Sequence, residues 1–205
     1  MKNSPFNTVG LCGDDVQALE DSYNALKSKF NIGLPDSNAH INRFELFNNE
    51  SEASVIGTYL IDSPSVDCYL NFVKIHYNYS IGRSQVNNYG CQAWAFVNLK
   101  HDFGRVIIRK ETFTDTLLNL IQHTELKFKD DKVFNDNFYA AANDTNKAIA
   151  GMTIDFRNVI KQGMYPSFVI EINGNALVIR NNQPVDVDQT VKLLGLANKI
   201  AITNS

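Results

Sequence analysis

Residues 153–182 read TIDFRNVIKQGMYPSFVIEINGNALVIRNN, and this stretch decides the fold that the sequence predicts. Its first third places apolar residues on one face of a helix, and Gly163 ends that helix. The runs PSFVIEI and ALVIR then have the composition of two strands, joined at Asn173–Asn175. Asn-Gly between two apolar runs is a strong short-range signal for a tight hairpin, with Gly174 at positive φ. The sequence therefore predicts a helix followed by an antiparallel hairpin.

The N-terminal part of the chain carries a second helix signal. Asp14 and Gln17 have the spacing of a capping box. Apolar residues then repeat at alternating steps of three and four, at Val16, Leu19, Tyr23, Leu26 and Phe30. This stripe predicts a helix that packs one face on a sheet, and a seam between two copies of the chain is the alternative.

Between residues 40 and 109 the apolar residues alternate, which is typical of strands. Five segments share this pattern: 44–46, 55–61, 68–80, 91–99 and 105–109. Residues 87–90, Asn-Asn-Tyr-Gly, have the composition of a turn. Residues 102–104 predict a hairpin connection between the last two strands.

Beyond residue 110, short helices and strands alternate. The predicted elements are a helix N-capped by Thr112 with Phe113, Leu117, Leu120 and Ile121 facing inward, a strand at 126–128, a turn at 130–132, a strand at 137–142, a helix from Asn143 or Asp144 to Ala150, and a last helix capped by Asp186 with Gln189. The two periodicities aim one set of apolar side chains at a common layer: Phe138, Phe156, Phe168, Ile170 and Leu177.

These patterns predict an α+β fold, an antiparallel sheet with helices packed on one face. A length of 205 residues suits a single globular unit, residues 1–205. A β-rich sub-half, 1–110, and an α+β sub-half, 111–205, are the alternative organisation. The seam between them would lie near Lys110 to Thr112.

Composition and charge argue against a nucleic-acid partner and against membrane insertion, and they indicate a cellular location. The net charge of −3 gives no electrostatic reason to expect a nucleic-acid partner. No apolar run is long enough for a secretory signal or a membrane span, so we expect no membrane insertion. The three cysteines, Cys12, Cys68 and Cys91, are odd in number and far apart, which predicts free thiols and a cytoplasmic location.

The C-terminal hundred residues resemble an uncharacterised bacterial family of unknown function. The matching segments are 106–111, 134–138, Asn143-Asp144 with Ala148, 152–154 and 169–177. The likeness rests on spacing and apolar positions, and it supplies no catalytic residue. Many members of that family look membrane-anchored through N-terminal helices, which this sequence is expected to lack.

The residue types that carry chemistry are scattered. The four histidines, His40, His76, His101 and His123, have no helical metal-ligand spacing. The acidic groups at 130–131, with Asp136 and Asn137, fit a solvated turn better than a cation site. Gly10 and Gly13 lack the spacing of a phosphate-binding loop. Cys12 and Cys91 have no neighbouring base that would activate them as nucleophiles. The three lysines at 127, 129 and 132 suit a sheet edge that is protected from pairing. We therefore expect no metal and no cofactor.

Aromatic residues in the β-rich half are the best candidates for a ligand pocket. They are Tyr69, Tyr77, Tyr79 and Trp94, with His76 on the opposite face of its strand. The favoured hypothesis is a non-enzymatic binding or scaffold domain whose partner is another protein or a second copy of the chain. The alternative is a small-molecule-binding protein or hydrolase whose site is assembled from distant residues in this half. The sequence does not decide whether the protein is an enzyme.

Overall fold

The computed structural model describes residues 6–35, 41–50, 52–62, 67–81, 84–111 and 124–204, and at 78–81 and 84–87 it describes the backbone alone. The described strands are β1 (Asn31–Gly33), β2 (Ser54–Asp62), β3 (Cys68–Ile81), β4 (Ser84–Asn98), β5 (Arg105–Lys110), β6 (Thr124–Glu125), β7 (Phe138–Ala142), β8 (Phe168–Asn173) and β9 (Ala176–Asn181). The described helices are α1 (Gly13–Lys29), α2 (Glu45–Asn48), α3 (Lys132–Asn137), α4 (Thr145–Gly151), α5 (Ile154–Gly163) and α6 (Val187–Thr203), and a 3-10 turn spans Ile41–Arg43. The helix predicted from Thr112 to Ile121 lies outside the described residues.

All of the described strands join one sheet, in the order β1-β2-β3-β4-β9-β8-β5-β7-β6. Every neighbouring pair in it is antiparallel. The predicted α+β class with an antiparallel sheet is therefore confirmed.

One face of the sheet, called here the helix face, carries the larger core. Its buried strand residues pack against helices α1, α3, α4, α5 and α6. The five residues predicted to share a layer all lie in this core, each at most 2% exposed: Phe138, Phe156, Phe168, Ile170 and Leu177. The α1 stripe also points inward, with Leu19 and Leu26 fully buried. This helix thus packs on the sheet, as the favoured prediction for it states.

The opposite side, called here the second face, has a smaller core of its own. Ile41, Phe44 and Leu46 pack there against strand residues such as Trp94 and Val178. The alternation that predicted a strand at 44–46 was wrong, since the 3-10 turn and α2 occupy this stretch. The physical reason is the buried Glu171 carboxylate, which accepts the backbone N–H groups of Glu45 (3.0 Å) and Leu46 (2.8 Å). It thereby satisfies donors that begin a helix.

The predicted hairpin at 102–104 was also wrong, because β4 and β5 are not neighbours. The β8–β9 hairpin lies between them. Its tip is fastened by the segment that was expected to turn: Phe103 N donates to Gly174 O (2.9 Å), and Gly174 N donates to Gly104 O (2.7 Å). Residues 102–104 therefore carry the chain past the hairpin tip to a strand three positions away in the sheet.

The turn predicted at 87–90 is in fact part of strand β4. Gly90 pairs with Ile75, and a Cβ at this position would lie 2.8 Å from the Tyr77 ring. The glycine therefore makes room for an aromatic neighbour within a strand, which composition cannot distinguish from a turn. Strand β6 is likewise displaced, at Thr124–Glu125 instead of 126–128.

The sequence predicted the caps of two helices correctly and misplaced the start of a third. Asp144 and Asp186 cap α4 and α6 by accepting the backbone N–H groups of Lys147 and Gln189, as predicted. Helix α1 begins earlier than expected, because the Cys12 sulfur accepts from Asp15 N in place of a cap at Asp14. The strand expected from residue 137 begins at Phe138, where α3 ends.

The β8–β9 hairpin turns as predicted, with Gly174 at φ +66°. We expect Gly174→Val to lower the free energy of unfolding by about 1–3 kcal/mol, because a β-branched residue is strained at positive φ. Urea unfolding followed by circular dichroism measures this. Gly33→Val is the matched control, since Gly33 lies in β1 with open space around its missing Cβ and no positive φ. Equal urea midpoints for the two variants would contradict the assignment.

Candidate functional site

The structure does not bring the predicted pocket residues into one site. Tyr69, Tyr77 and Trp94 lie on the second face, where Tyr69 contacts Phe96 edge-on with 5.7 Å between ring centroids. His76 lies on the opposite side of the sheet, as its place in the alternation predicts. The backbone of Tyr79 pairs with Val86, and its side chain lies outside the described part. The sheet therefore separates His76 from Tyr69 and Tyr77.

Gln92 links two of these aromatic residues. Its side-chain amide donates to the Tyr77 hydroxyl (2.9 Å), and its amide oxygen accepts from the Trp94 indole N–H (3.0 Å). Trp94 is fully buried. Burial raises the pKa of Tyr77, so its hydroxyl stays neutral at physiological pH.

The indole of Trp94 is enclosed by two further side chains. The Arg180 guanidinium lies 5.3 Å from its ring centroid and forms an ion pair with Glu50. On another side the Phe47 ring meets it edge-on, with 6.0 Å between centroids. Trp94 therefore contacts Phe47, but its ring is too deeply buried to contact a ligand itself.

His76 belongs to a separate polar cluster on the helix face. Its ring lies 4.9 Å from the ring of Tyr89. The Glu52 carboxylate accepts from the Tyr89 hydroxyl (2.8 Å) and lies 3.8 Å from His76 Nδ1. This hydrogen bond to Glu52 raises the pKa of Tyr89. The same tyrosine ring lies close to Gly10, where an added Cβ would come within 3.2 Å of it.

The second face also has an open groove of about 860 Å³ beside Phe47. The described residues that line it are Leu34, Pro35, Ile41, Asn42, Phe47, Ala53, Val55, Ile56, Gly57 and Thr58. Asn42 and Thr58 are the polar members of this set, and none of the ten side chains titrates. Leu34 is 79% exposed and Val55 is 38% exposed. The described part of the groove therefore offers apolar side chains next to polar surface, and none of its described side chains is an acid or a base.

The sequence pattern does not reveal the groove, because its walls come from separate parts of the chain. They follow β1, belong to the 3-10 turn and α2, and run along β2. The aromatic pattern of β3 pointed to the right face, since Trp94 lies behind Phe47. The signal that could have found the groove is Leu34-Pro35, an apolar pair next to a strand that ends at Gly33.

The acidic pair at 130–131 is not the solvated turn that was expected. Asp131 is 7% exposed, and its carboxylate accepts from Arg157 Nε (3.0 Å) and Lys161 Nζ (2.8 Å). Asp130 accepts from Arg157 Nη2 (2.8 Å). Burial alone would raise the pKa of Asp131, but the hydrogen bonds from Lys161, Arg157 and the Phe134 backbone outweigh it and hold that pKa below its usual value. Protein cations thus already neutralise this pair.

Two of the three cysteines lie in unreactive places. Cys68 and Cys91 are buried free thiols, and burial raises the pKa of each to about 12. Cys12 is exposed and caps α1. Since the thiolate is the nucleophile, neither buried cysteine suits nucleophilic catalysis.

We expect a thiol titration of the denatured, unreduced protein to count three free groups, and the native protein to react first at Cys12. Burial slows Cys68 and Cys91 by limiting both access and ionisation. Timed alkylation followed by mass spectrometry measures both quantities, and a Cys12→Ser variant identifies the fast group. A count of one would mean a disulfide and would contradict a cytoplasmic location.

No helix among the described residues is long and apolar enough to cross a membrane. No family model matches the chain, and no curated protein matches it either. A search of solved structures finds the crystal structure of the mycobacterial trehalose monomycolate transport factor A, TtfA. The two chains share 9% identity, and the match covers 90% of this chain and 92% of that one with a TM-score of 0.55. At this identity the likeness shows that this chain has a fold similar to that of the mycobacterial factor.

Proposed function

We propose that the protein is a non-enzymatic binding or scaffold domain of the cytoplasm that docks its partner in the groove on the second face. The observation that carries this proposal is the set of described side chains that line the groove, which are apolar apart from the neutral Asn42 and Thr58, although slightly more of the groove surface is polar than apolar. Apolar walls with a few polar groups are typical of recognition sites. A reaction would need titratable groups converging on the bound molecule, and the described residues of the groove walls supply none.

The exposure of two groove residues supports the same conclusion. Leu34 and Val55 leave apolar area in contact with water, and a bound partner would remove it. The free thiols Cys68 and Cys91 support the cytoplasmic part of the proposal, since unpaired cysteines persist in reducing compartments. Membership of the C-terminal hundred residues in the uncharacterised bacterial family that they resemble is also a proposal.

We expect Leu34→Asp to weaken binding of the apolar probe anilinonaphthalene sulfonate by roughly tenfold, because a charge replaces a leucine that the ligand would cover. Trp94 is the one tryptophan of the sequence, and it contacts the groove residue Phe47. Energy transfer from Trp94 to the probe therefore reports binding at this place.

Val133→Asp is the matched control for this experiment. Val133 is 61% exposed on α3 and is not part of the groove. Both variants should unfold at the wild-type urea concentration, since exposed substitutions rarely change stability by more than about 0.5 kcal/mol. Equal probe affinity for the two variants would remove the groove from the proposal.

The alternative function is small-molecule binding, including a hydrolase with a site assembled from distant residues. Its specific support is the groove volume of about 860 Å³, which falls within the roughly 300–1,000 Å³ of ligand sites. The mycobacterial protein with a similar fold is named as a trehalose monomycolate transport factor. A thermal-shift screen with divalent metals, nucleotides and metabolites, with elemental analysis, separates the two. A shift of several degrees with one compound class would favour the alternative.

A further inference from the structure

We propose that Glu45 and Glu171 form a proton-binding pair that holds residues 41–50, called here the docked segment, on the second face. Uptake of one proton by this pair strengthens the docking of the segment, which supplies part of the groove lining, including Phe47. The inference rests on the proposed function, since it gives the regulation of that same groove. The observations that carry it are the contacts of the segment, the burial of the carboxylates and the charges around them.

A buried carboxylate joins the docked segment to the sheet. Glu171 lies on β8 and is fully buried, and its two oxygens accept the backbone N–H groups of Glu45 (3.0 Å) and Leu46 (2.8 Å). The fully buried side chains of Phe44 and Leu46 add apolar contacts to the same face. The docking of the segment therefore depends on a group whose charge changes with pH, at a place that water does not reach.

The two carboxylates share one cation. Arg105 Nη1 lies 2.7 Å from Glu45 Oε1, and Arg105 Nη2 lies 3.7 Å from Glu171 Oε1. Two negative charges thus face one positive charge when both carboxyl groups are ionised. A pair of this kind favours the uptake of one proton, because the like charges repel and burial disfavours the ionised form.

The pair also contains an acceptor for that proton. Glu45 Oε2 is buried and, within the described part of the chain, has no hydrogen-bond partner. A buried acceptor without a donor is unfavourable. A proton on Glu171 would supply a donor beside it, since both carboxyl groups contact the guanidinium of Arg105. The unpartnered oxygen therefore indicates where the proton is held.

Three further arginines of the second face have contacts of their own. Arg43 of the 3-10 turn donates to Asn173 O, Arg109 of β5 lies over the Tyr139 ring, and Arg180 of β9 pairs with Glu50. Among the described residues, Arg105 is therefore the cation that counters the charge of Glu171.

The pKa of Glu171 reflects these surroundings. Burial raises this pKa above its usual value, and the negative charge of Glu45 acts in the same direction. The two backbone hydrogen bonds and the charge of Arg105 oppose the rise without cancelling it. The docked pKa is therefore higher than that of an undocked glutamate, about 4.3. The stabilisation of the docked segment is fully present below the undocked pKa and is lost as the pH rises through the docked pKa.

The test follows the amide protons of Glu45 and Leu46 in the full chain by nuclear magnetic resonance, from about pH 4 to about pH 8. We expect both signals to shift with one midpoint above about 4.3, because each N–H donates to the titrating carboxyl group. Glu171→Gln keeps the shape of the side chain and cannot titrate, so these shifts should disappear. Glu45→Gln removes one of the two negative charges and should lower the midpoint.

Hydrogen exchange at the same two amides measures the docking itself, because they exchange when the segment leaves Glu171. We expect their protection, corrected for the intrinsic exchange rate at each pH, to fall as the pH rises. The fall should be roughly tenfold for each unit that separates the docked and undocked pKa values. In Glu171→Gln the protection should stay constant with pH.

Glu125→Gln is the matched control for both measurements. Glu125 lies on β6, is exposed and pairs with Lys127 at 2.6 Å. Its substitution should change neither the midpoint nor the protection of the docked segment. Circular dichroism shows whether each variant folds, and the wild type with Glu45→Gln decides the question even if Glu171→Gln does not fold.

Each contrary outcome has one meaning. A wild-type midpoint at or below about 4.3 would overturn the proton-binding pair. A midpoint that Glu45→Gln leaves unchanged would overturn the sharing between the two carboxyl groups, and wild-type protection that is constant with pH would overturn the regulation of docking. The proposed function would survive all three results, because it fails only if Leu34→Asp and Val133→Asp bind the probe equally.

Discussion

Replacing Phe156 with alanine is expected to lower the free energy of unfolding by about 3–5 kcal/mol. Phe156 is fully buried on α5, and its ring lies 5.5 Å from that of Phe103. Phe103 is held from another side by Gly151, where a Cβ would come within 2.5 Å of its ring. The surrounding groups are fixed, so they cannot close the space that the truncation leaves. Urea unfolding measures the change.

Ile154→Ala provides the control on the same helix. Ile154 is 56% exposed, and we expect its truncation to change the stability by less than about 0.5 kcal/mol. If Phe156→Ala unfolds at the same urea concentration as Ile154→Ala, then α5 does not pack on the sheet as described.

Asp131→Ala is expected to lower the free energy of unfolding by about 3 kcal/mol, at the low end of the range for breaking a buried ion pair. The substitution removes the acceptor of Arg157 and Lys161, and it removes the side chain that caps α3 at Phe134 N (3.1 Å). The Arg157 side chain is 4% exposed, so water cannot replace the lost carboxylate. Asp130 still contacts Arg157, which keeps the loss from being larger.

Asp130→Ala is the matched control, since it removes a neighbouring carboxylate that is 55% exposed and pairs with the same arginine. We expect it to cost less than about 1 kcal/mol. Equal losses for the two variants would mean that the network is not buried in solution.

The effect of Asp131 should depend on pH in one direction. Its pKa is lower in the folded state than in the unfolded state, so its stabilisation is present above the unfolded pKa of about 3.9. That stabilisation is lost as the pH falls through the lower, folded pKa. Unfolding curves from pH 7 to pH 2 should therefore bring the wild type and Asp131→Ala closer together below about pH 4.

Local patterns predicted the parts of the fold that local forces determine. The Asn-Gly turn at 173–174 and the caps at Asp144 and Asp186 were read correctly, because each depends on a few neighbouring residues. Burial of Phe156 and Leu177 followed from helix and strand periodicity. The residues that specify each of these features are close together in the sequence, so a local pattern is enough to predict them.

The errors arose where a distant residue decides the local structure. Glu171 holds residues 45–46 as the start of a helix, although their alternation is that of a strand. Tyr77 lies over Gly90 inside a strand, although Asn-Asn-Tyr-Gly has the composition of a turn. Nothing within a few residues of either segment carries that information.

The candidate site was predictable in part for the same reason. Alternation along β3 correctly separated His76 from Tyr77 and put the aromatic residues on the face that bears the groove. The groove itself needs Leu34, Phe47 and Val55 together, and their meeting depends on how β1 and α2 dock. Spacing in one sequence does not encode that docking, so the groove emerged from the structure.

The place of the β8–β9 hairpin in the sheet has a consequence for how the chain is made. Strands β4 and β5 leave the ribosome close together in time, yet each lacks one of its two neighbours until the hairpin is made, since β8 begins at Phe168 and β9 at Ala176. Until then two long-range strand pairings cannot form, and sheets with such pairings fold slowly. Nascent chains that stop before the hairpin would expose one unpaired edge of β4 and one of β5, and exposed edges of this kind are prone to aggregation. The last fifth of synthesis is therefore the step at which this sheet can first be completed.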